Sequence, residues 1–550
     1  MGGFAQAADQ TDRPNVVLVI TDDQGIGDVG VHGNDKIRTP QLDRFARQGV
    51  QLTRFYVNPV CAPTRASLLT GRHYYRTGVI HTSRGGALMH GDETTIAELL
   101  GQAGYRTGIF GKWHLGDNYP MRPEDQGFHE SLVHRSGGIT QTPDTEATYF
   151  EPVLYRNGRR ERGKGYCTDL FFDAAIDFIE RHRQQPFFVY LPTNAPHTPL
   201  QVDEKLVEPY RAMGLDDTTA KVYAMVENID ANFGRLMQHL EKLKLRDNTL
   251  VIFTTDNGPQ QERYTYNLRG RKTTTYEGGI RVPSFWQWPA GLKGQRQIDR
   301  LAAHIDLLPT LLEVCNAEAK PDKPIDGVSL WPLLAGEAAN WPDRTLYFQC
   351  HRGLTPKLFQ NCAAVSERFK MVGYPGTFNR DDFEPSAEPV LELYDLANDR
   401  AEQHNVAQKF PRELAKLRTS YEAWFGEVKS SRQFQPGLIH VGSEQENPSR
   451  LCYYQDGHWQ GTDAKGWLVK IERSGRYRIS RIDNQPAASA LRVVWKGQTQ
   501  EQSLEGQAAA EFNLDAGEGL LEIAHVSTQP RPARRQAKQF IGDVLIERLD

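Results

Sequence analysis

The segment NPVCAPTRASLLTGR, residues 58–72, places Cys61 two positions before Pro63 and four before Arg65, ahead of an apolar run closed by glycine. By residue type alone Cys61 is open to four chemistries: a core thiol, a metal ligand, a nucleophile, or the precursor of an oxidised side chain. Two other segments bear on the choice. NVVLVI-TDDQG and LVIF-TTDNG each end an apolar run in an acidic pair or Asp-Asn followed by glycine, which brings forward Asp22, Asp23, Asp256 and Asn257. Hard oxygen donors without grouped cysteines or histidines suit Ca²⁺ or Mg²⁺ rather than zinc. One such strand end is explained well enough as a cap on the next turn; two on buried strands favour a metal.

Basic groups recur in the same kind of place. GYRTGIFGKWHLG (104–116) carries Lys112 and His114, NAPHTP (194–199) presents His197 between prolines, and LRGRKTTTYEGG (268–279) holds Lys272 between glycines. Any one of these is more commonly a solvated lysine or a structural histidine. Their shared position after strand-like runs is what makes a site.

The elements that must position them follow from hydrophobic periodicity. NVVLVI (15–20), FFVYL (187–191) and LVIF (250–253) read as strands covered on both faces, while 168–183 and 218–244 carry apolar residues at helical spacing. The expected fold is α/β, a mainly parallel sheet sandwiched by helices, with its ligand site at the carboxyl ends of the strands. From 344 to 428, paired strands and a helix near 411–426 predict a small antiparallel subdomain beside a catalytic domain of residues 13–343. The polar stretch 429–450 reads as a linker, and residues 435–550 as an appended all-β sandwich of short alternating strands. Tyr477, Ile479, Val493 and Trp495 would fill its core. Trp459 and Trp467 sit beside turn residues, where they either stack on a sugar ring or pack under their loops.

The totals narrow the partners. With 65 basic and 69 acidic residues well mixed, the net charge of -4 calls for no nucleic acid, and any anion site must be local. No apolar run approaches the roughly 20 residues of a membrane span. Ala5-Gln6-Ala7 resembles the small-residue cleavage end of a signal peptide, which points to a periplasmic or secreted protein with its leader removed; a merely disordered start is the alternative reading of the same residues. The six cysteines form no CxxC pair; Cys350 and Cys362 are within reach of a disulfide in an oxidising compartment, although two reduced core thiols is the plainer expectation.

CAPTR (61–65) with ASLLTG resembles the sulfatase signature, in which the cysteine of C-x-P-x-R is oxidised to formylglycine, and GYRTGIFGKWH resembles the second signature of that family. The likeness extends through TDDQG, NAPHTP, TTDNG, LRGRKTTTYEGG, IDLLPTLLE (305–313) and LYDLANDRAEQHNVA (393–407), roughly residues 13–426. Phe110 and Arg271 depart from the family pattern, the latter where it bears on the substrate pocket. The resemblance implies an alkaline-phosphatase-like fold and hydrolysis of a sulfate monoester by a formylglycine gem-diol made from Cys61. Pro63 suits the first turn of the helix, whose N–H groups then face the anion. Asp22, Asp23, Asp256 and Asn257 would hold Ca²⁺ (or Mg²⁺) against the modified Cys61. Arg65 would hold the diol and the cluster's charge, Lys112 and Lys272 the sulfate oxygens. His197, with Lys272, would protonate the leaving oxygen, and His114 would deprotonate the second hydroxyl. A formylglycine-generating or sulfatase-maturing enzyme is then a required partner. A carbohydrate sulfate is the expected substrate, from export and from the β domain, which should aid polymer substrates without supplying catalytic groups. Two alternatives share these residues: a formylglycine-dependent phosphonate monoester or phosphodiester hydrolase, and a sulfated-glycan binding protein in which Cys61 stays a thiol.

Overall fold

A run of β-branched residues with no polar face can be satisfied only between two layers, and Asn15–Thr21 is buried at all seven positions. In the computed structural model, which describes residues 13–337, 341–353, 355–380, 382–460, 463–482, 490–504, 507–526 and 542–550, this strand is at the centre of a ten-stranded sheet. Ala5-Gln6-Ala7 lies outside the described residues. Asn15–Thr21 pairs in parallel with Thr249–Thr255 on one side and Phe187–Pro192 on the other; Arg106–Lys112 and Glu130–His134 continue the parallel set. Beyond Glu130–His134 the sheet continues through the antiparallel strands Val153–Arg156 and Arg159–Arg162; on the other side the antiparallel Ser284–Gln287 is followed by Val50–Leu52 and the edge strand Arg296–Ile298, which pair with each other in parallel. Helices Cys167–His182 and Asp217–Lys242 pack on each other and the former on the sheet, while Cys61–Thr70, Ile96–Gln102 and Leu307–Val314 form a second packed group. The fold is thus the expected α/β arrangement.

Strands Leu346–Gln349, Cys362–Val365, Phe369–Gly373 and Leu391–Asp395 make an all-antiparallel sheet, against which helix Pro411–Arg432 packs. All six cysteines are free, Cys350 and Cys362 included. The stretch 429–450 is more ordered than its polarity suggests. The helix continues to Arg432, and Ile439–Val441 and Ser449–Leu451 each join one sheet of the C-terminal sandwich. Their few apolar residues, Ile439, Val441 and Leu451, are fully buried there, a contribution too short to stand out among polar neighbours.

Tyr477, Ile479, Val493 and Trp495 lie in the sandwich core with Trp467. Trp459 is buried too, its indole N–H donating to the Tyr453 carbonyl at 3.3 Å and its ring under the Arg84 guanidinium at 4.9 Å. Neither tryptophan offers an open face to a sugar. The sandwich core also takes in Leu88 and Met121 from the large domain. Backbone bonds fasten the join: Gly437 N to Leu88 O at 2.9 Å, His440 N to Tyr119 O at 3.0 Å, and Arg84 N to Tyr454 O at 2.8 Å. No helix among the described residues is long and apolar enough to cross a membrane.

Because Leu88 is part of the sandwich core although remote from it in sequence, Leu88→Ala is expected to cost about 2–5 kcal/mol, the range for a buried leucine. Denaturant unfolding followed at the sandwich tryptophans should show the loss; an unchanged midpoint would mean that the join carries no load.

Candidate active site

Parallel strands deliver their carboxyl ends to one edge, and the register Thr21 opposite Thr255 makes Asp22 and Asp256 neighbours. Lys112 ends the strand Arg106–Lys112, and His197 follows Phe187–Pro192. The four predicted oxygen ligands therefore meet. The Asn257 side-chain amide donates to Asp23 Oδ1 at 2.7 Å, and the Asp23 backbone N–H to Asp256 Oδ1 at 3.2 Å. Lys112 Nζ donates to Asp22 Oδ2 and Lys272 Nζ to Asp23 Oδ1, each at 2.6 Å.

Helix Cys61–Thr70 runs into this edge with all ten residues buried. Val60, extended at φ -151° and ψ 155°, precedes it without a side-chain cap. The first-turn N–H groups are thus left to whatever binds at the end. One turn on, Arg65 is wholly buried and donates twice to Asp256 Oδ2, at 3.1 and 2.7 Å, and once to the Lys112 carbonyl at 3.1 Å. These bonds aim Arg65 at the carboxylate cluster and the Lys112 strand end.

Three oxygens in this ring remain without a partner although buried: Asp22 Oδ1, Asp23 Oδ2 and Asn257 Oδ1. An unsatisfied buried carboxylate oxygen is costly, and hard cations take such oxygens. Donor atoms of Asp22, Cys61 and Asp256 lie within 4.8 Å of one another, as do those of Asp22, Asp23 and His197. The residues fit a divalent cation.

Burial sets the protonation states. It pushes the Asp256 carboxyl up to about 6, with neighbouring Asp22 adding to the rise and Arg65 opposing it. Burial works against the Asp23 carboxylate too, but Lys272 and His197 outweigh it and hold the group below its usual range. The Cys61 thiol is pushed up by burial despite Lys112 and Lys272, so an unmodified Cys61 stays a neutral thiol, a poor nucleophile and ligand. Burial and then Lys112 hold His114 well below the ordinary imidazole range, and burial with Lys272 brings His197 down to about 3. Hydrogen bonds select the tautomers. His114 Nε2–H faces the Thr82 carbonyl at 2.8 Å, which leaves its buried Nδ1 a bare acceptor. His197 Nδ1–H faces the Thr198 carbonyl at 2.6 Å and turns Nε2 toward Asp23 Oδ2 at 3.9 Å.

A cavity of ≈ 880 Å³ opens over this cluster, with Cys61, His114, His197 and Lys272 on its lining. Asp22, Asp23, Asp256, Asn257, Arg65 and Lys112 are buried. Several neighbours escape sequence reasoning. A Cβ on Gly137 would stand 3.0 Å from His114 Cε1, and one on Gly138 3.1 Å from His197 Nδ1, so this glycine pair lets backbone back both imidazoles; GG in a loop gives no hint of which residues it touches. The Lys272 loop is pinned by Lys272 N to Pro259 O at 3.0 Å and Thr273 N to Pro59 O at 2.8 Å, with β-branched Thr273 at φ 73°. That conformation is rare for a β-branched residue and signals an imposed geometry. Tyr454 and Gln455, from the sandwich, also line the cavity. Only the tertiary join brings them there.

Behind Lys272, the loop reaches Glu277, which with Glu402 brackets the fully buried Lys370 of the antiparallel sheet at 3.0 and 2.9 Å. Phe110 is core, packed on Phe178 at 5.5 Å, and Arg271 is half-exposed at the cavity rim, 3.3 Å from Glu262.

The pocket gathers ammonium groups, bare imidazole nitrogens and an uncapped helix start over unpaired carboxylate oxygens, a combination that suits an anion beside a cation. The family model for sulfatases matches residues 14–317, and that for the N-sulphoglucosamine sulphohydrolase C-terminal region matches 270–423. Human arylsulfatase A is 35% identical over 448 residues, 72% of this chain and 83% of the relative. N-acetylgalactosamine-6-sulfatase of Canis lupus familiaris is 33% identical over 385 residues, 64% of this chain and 70% of the relative. The solved structure of Ps i-CgsB in complex with k-i-k-neocarrahexaose covers 77% of this chain and 94% of its own, at a TM-score of 0.67 and 27% identity. The chain belongs to the sulfatase family and is a sulfuric ester hydrolase.

Lys370→Met leaves Glu277 and Glu402 buried face to face and is expected to cost about 3–5 kcal/mol. A pH effect accompanies it. Burial, opposed by Lys370 and reinforced by Glu277, raises the Glu402 carboxyl from 4.5 to about 7. The folded chain therefore binds the extra proton in that window, and stability falls as pH rises through it. Glu402→Gln should flatten this part of a melting-temperature profile; an unchanged slope would show that Glu402 is not the titrating group.

Proposed function

We propose that this sulfatase hydrolyses a carbohydrate sulfate monoester with formylglycine derived from Cys61 as nucleophile and a Ca²⁺ ion, or Mg²⁺, held by Asp22, Asp23, Asp256, Asn257 and the modified Cys61. The observation that carries this reading is the set of orphaned oxygens on Asp22, Asp23 and Asn257 beside a helix that opens on a buried, unreactive cysteine. As a neutral thiol that residue does little; oxidised by a maturing enzyme to the aldehyde, it hydrates to a diol with one hydroxyl for attack at sulfur and a second for later release of sulfate. The cation, when bound, supplies Lewis-acid polarisation of the sulfate.

The remaining roles belong to the chain's own side chains. Lys112 and Lys272 place fixed positive charge where sulfate oxygens gain charge in the transition state. Arg65 opposes the burial-driven rise of the Asp256 carboxyl and holds the group in place. His114, with Nε2–H committed to Thr82, keeps Nδ1 free to accept the proton of the second hydroxyl. His197 starts neutral, and the negative charge of a bound ester beside Nε2 favours its protonation, which readies it to donate to the leaving oxygen. The carbohydrate assignment draws on the cavity size, which lies within the range of about 300–1,000 Å³ that encloses small ligands. A relative named N-acetylgalactosamine-6-sulfatase and a similar solved structure in complex with k-i-k-neocarrahexaose support it.

Cys61→Ala is expected to abolish sulfate release with the fold intact, and Cys61→Ser to attack once and stop. More than trace turnover by the alanine variant would refute the formylglycine assignment. Higher kcat/KM on aryl phosphodiesters than on aryl sulfates would transfer the site to the phosphodiesterase alternative, and an unoxidised Cys61 peptide by mass would favour the binding protein. Adding Ca²⁺ to chelated protein should raise stability by about 2.7 kcal/mol at a hundredfold excess over Kd, and Asp22→Asn should weaken that response. His197→Ala should slow alkyl sulfates at least about tenfold more than activated aryl sulfates, since an acid matters most for a basic leaving oxygen; equal losses would remove it from that role.

A further inference from the structure

Above the sulfate end of the cavity stands a cation that the reaction does not use. Arg352 lines the cavity from the segment after the strand Leu346–Gln349. Its partners are neutral. Nη1 donates to the Ser83 hydroxyl at 3.2 Å, the guanidinium lies 5.4 Å from the centre of the Phe378 ring, and its backbone N–H donates to the Phe378 carbonyl at 3.0 Å. Among the described residues it forms no ion pair, in contrast to Arg65 and Arg263, which are committed to Asp256 and Asp28. The carboxylates that share the cavity are engaged elsewhere: Glu262 with Arg271, and Asp216 with the Thr219 hydroxyl and N–H at 2.6 and 3.1 Å.

Its distance from the chemistry is short. Phe378 packs with Val60 and Cys350 in one buried cluster, and Val60 immediately precedes Cys61. Arg352 is thus one side-chain layer from the nucleophile position, on the wall of the cavity that opens over it. Gln141 and Gln455, joined at 3.4 Å, supply further polar lining without charge.

We propose that Arg352 forms a second anion-binding subsite, so that the preferred leaving group is a sugar bearing another negatively charged group, a second sulfate or a uronate carboxylate. This rests on the carbohydrate sulfatase reading above. Ser83 and Phe378 hold the planar guanidinium by one N–H and one face, which leaves the other donors for a bidentate contact with an oxyanion. A neutral sugar would leave that cation desolvated by the ligand and unpaired, an unfavourable state.

The test uses binding to the inactive Cys61→Ala chain, measured by calorimetry with three probes: a monosulfated disaccharide, the same disaccharide with a second sulfate, and a monosulfated disaccharide containing a uronate. At least one dianionic probe should bind about tenfold or more tightly than the monoanion, the scale of a charge-assisted contact, and which one does so identifies the anion. Arg352→Gln in that background should remove the advantage, and Arg352→Lys should retain part of it. Equal affinity for all three probes in the Cys61→Ala chain alone would overturn the proposal, as would an advantage that survives Arg352→Gln. Failure of the carbohydrate reading is seen separately, as sulfate release by the unmutated enzyme from aryl esters but from no sugar.

Discussion

The rest of the site depends on the buried pairing of Arg65 with Asp256. An ion pair with no exposure on either side is tolerated only when each group finds further partners. Here Arg65 takes the Lys112 carbonyl as well, and Asp256 takes the Asp23 N–H. One guanidinium thereby ties the helix that begins at Cys61 to the ends of two strands separated by two others in the sheet and, through Asp256, to the backbone at Asp23. Moving any of these elements would strand a charge in a dry interior. This charge network and the core packing of Ala62, Ala66, Leu68 and Leu69 together hold the helix start in place.

Charge neutralisation in the cluster is distributed unevenly, and this gives the pocket its polarity. Arg65 is committed to buried groups, while Lys272 contacts Asp23 and also reaches the cavity. The unpaired oxygens of Asp22, Asp23 and Asn257 leave room for a cation, whose charge would add to that of the lysines. The same burial that makes carboxylates available to a metal keeps both histidines neutral, so that their hydrogen bonds to Thr82 and Thr198 decide which ring nitrogen can move a proton.

The two C-terminal units serve the pocket in different ways. The antiparallel sheet anchors the Lys272 loop from behind, through Lys370 between Glu277 and Glu402. Gly258 completes that anchoring: a Cβ there would stand 1.9 Å from the Gly278 carbonyl, so the turn after Asn257 can approach the loop only without a side chain. The sandwich instead contributes wall. Its Tyr454 and Gln455 line the cavity, and its core closes over Leu88 and Met121. A module expected to aid polymer substrates without supplying catalytic groups contributes two residues to the cavity lining.

The sequence by itself determined the sheet, the helix starting at Cys61 and the convergence of Asp22, Asp23, Asp256, Asn257, Lys112, His114, His197 and Lys272. Short continuous apolar runs bounded by turn residues are satisfied as strands covered on both faces, and parallel strands send whatever follows them to one edge. What lies across that edge has no such periodic signal. Arg352, Ser83, Tyr454 and Gly137 are far apart in the chain and unremarkable in composition, and only packing brings them to one cavity. Trp459 and Trp467 illustrate the same limit: turn residues around an aromatic do not reveal whether its ring faces water or core, because that depends on which strand crosses beneath it. Tertiary structure also decided the direction of each proton, since the carbonyls that select the histidine tautomers belong to backbone whose position no residue type encodes.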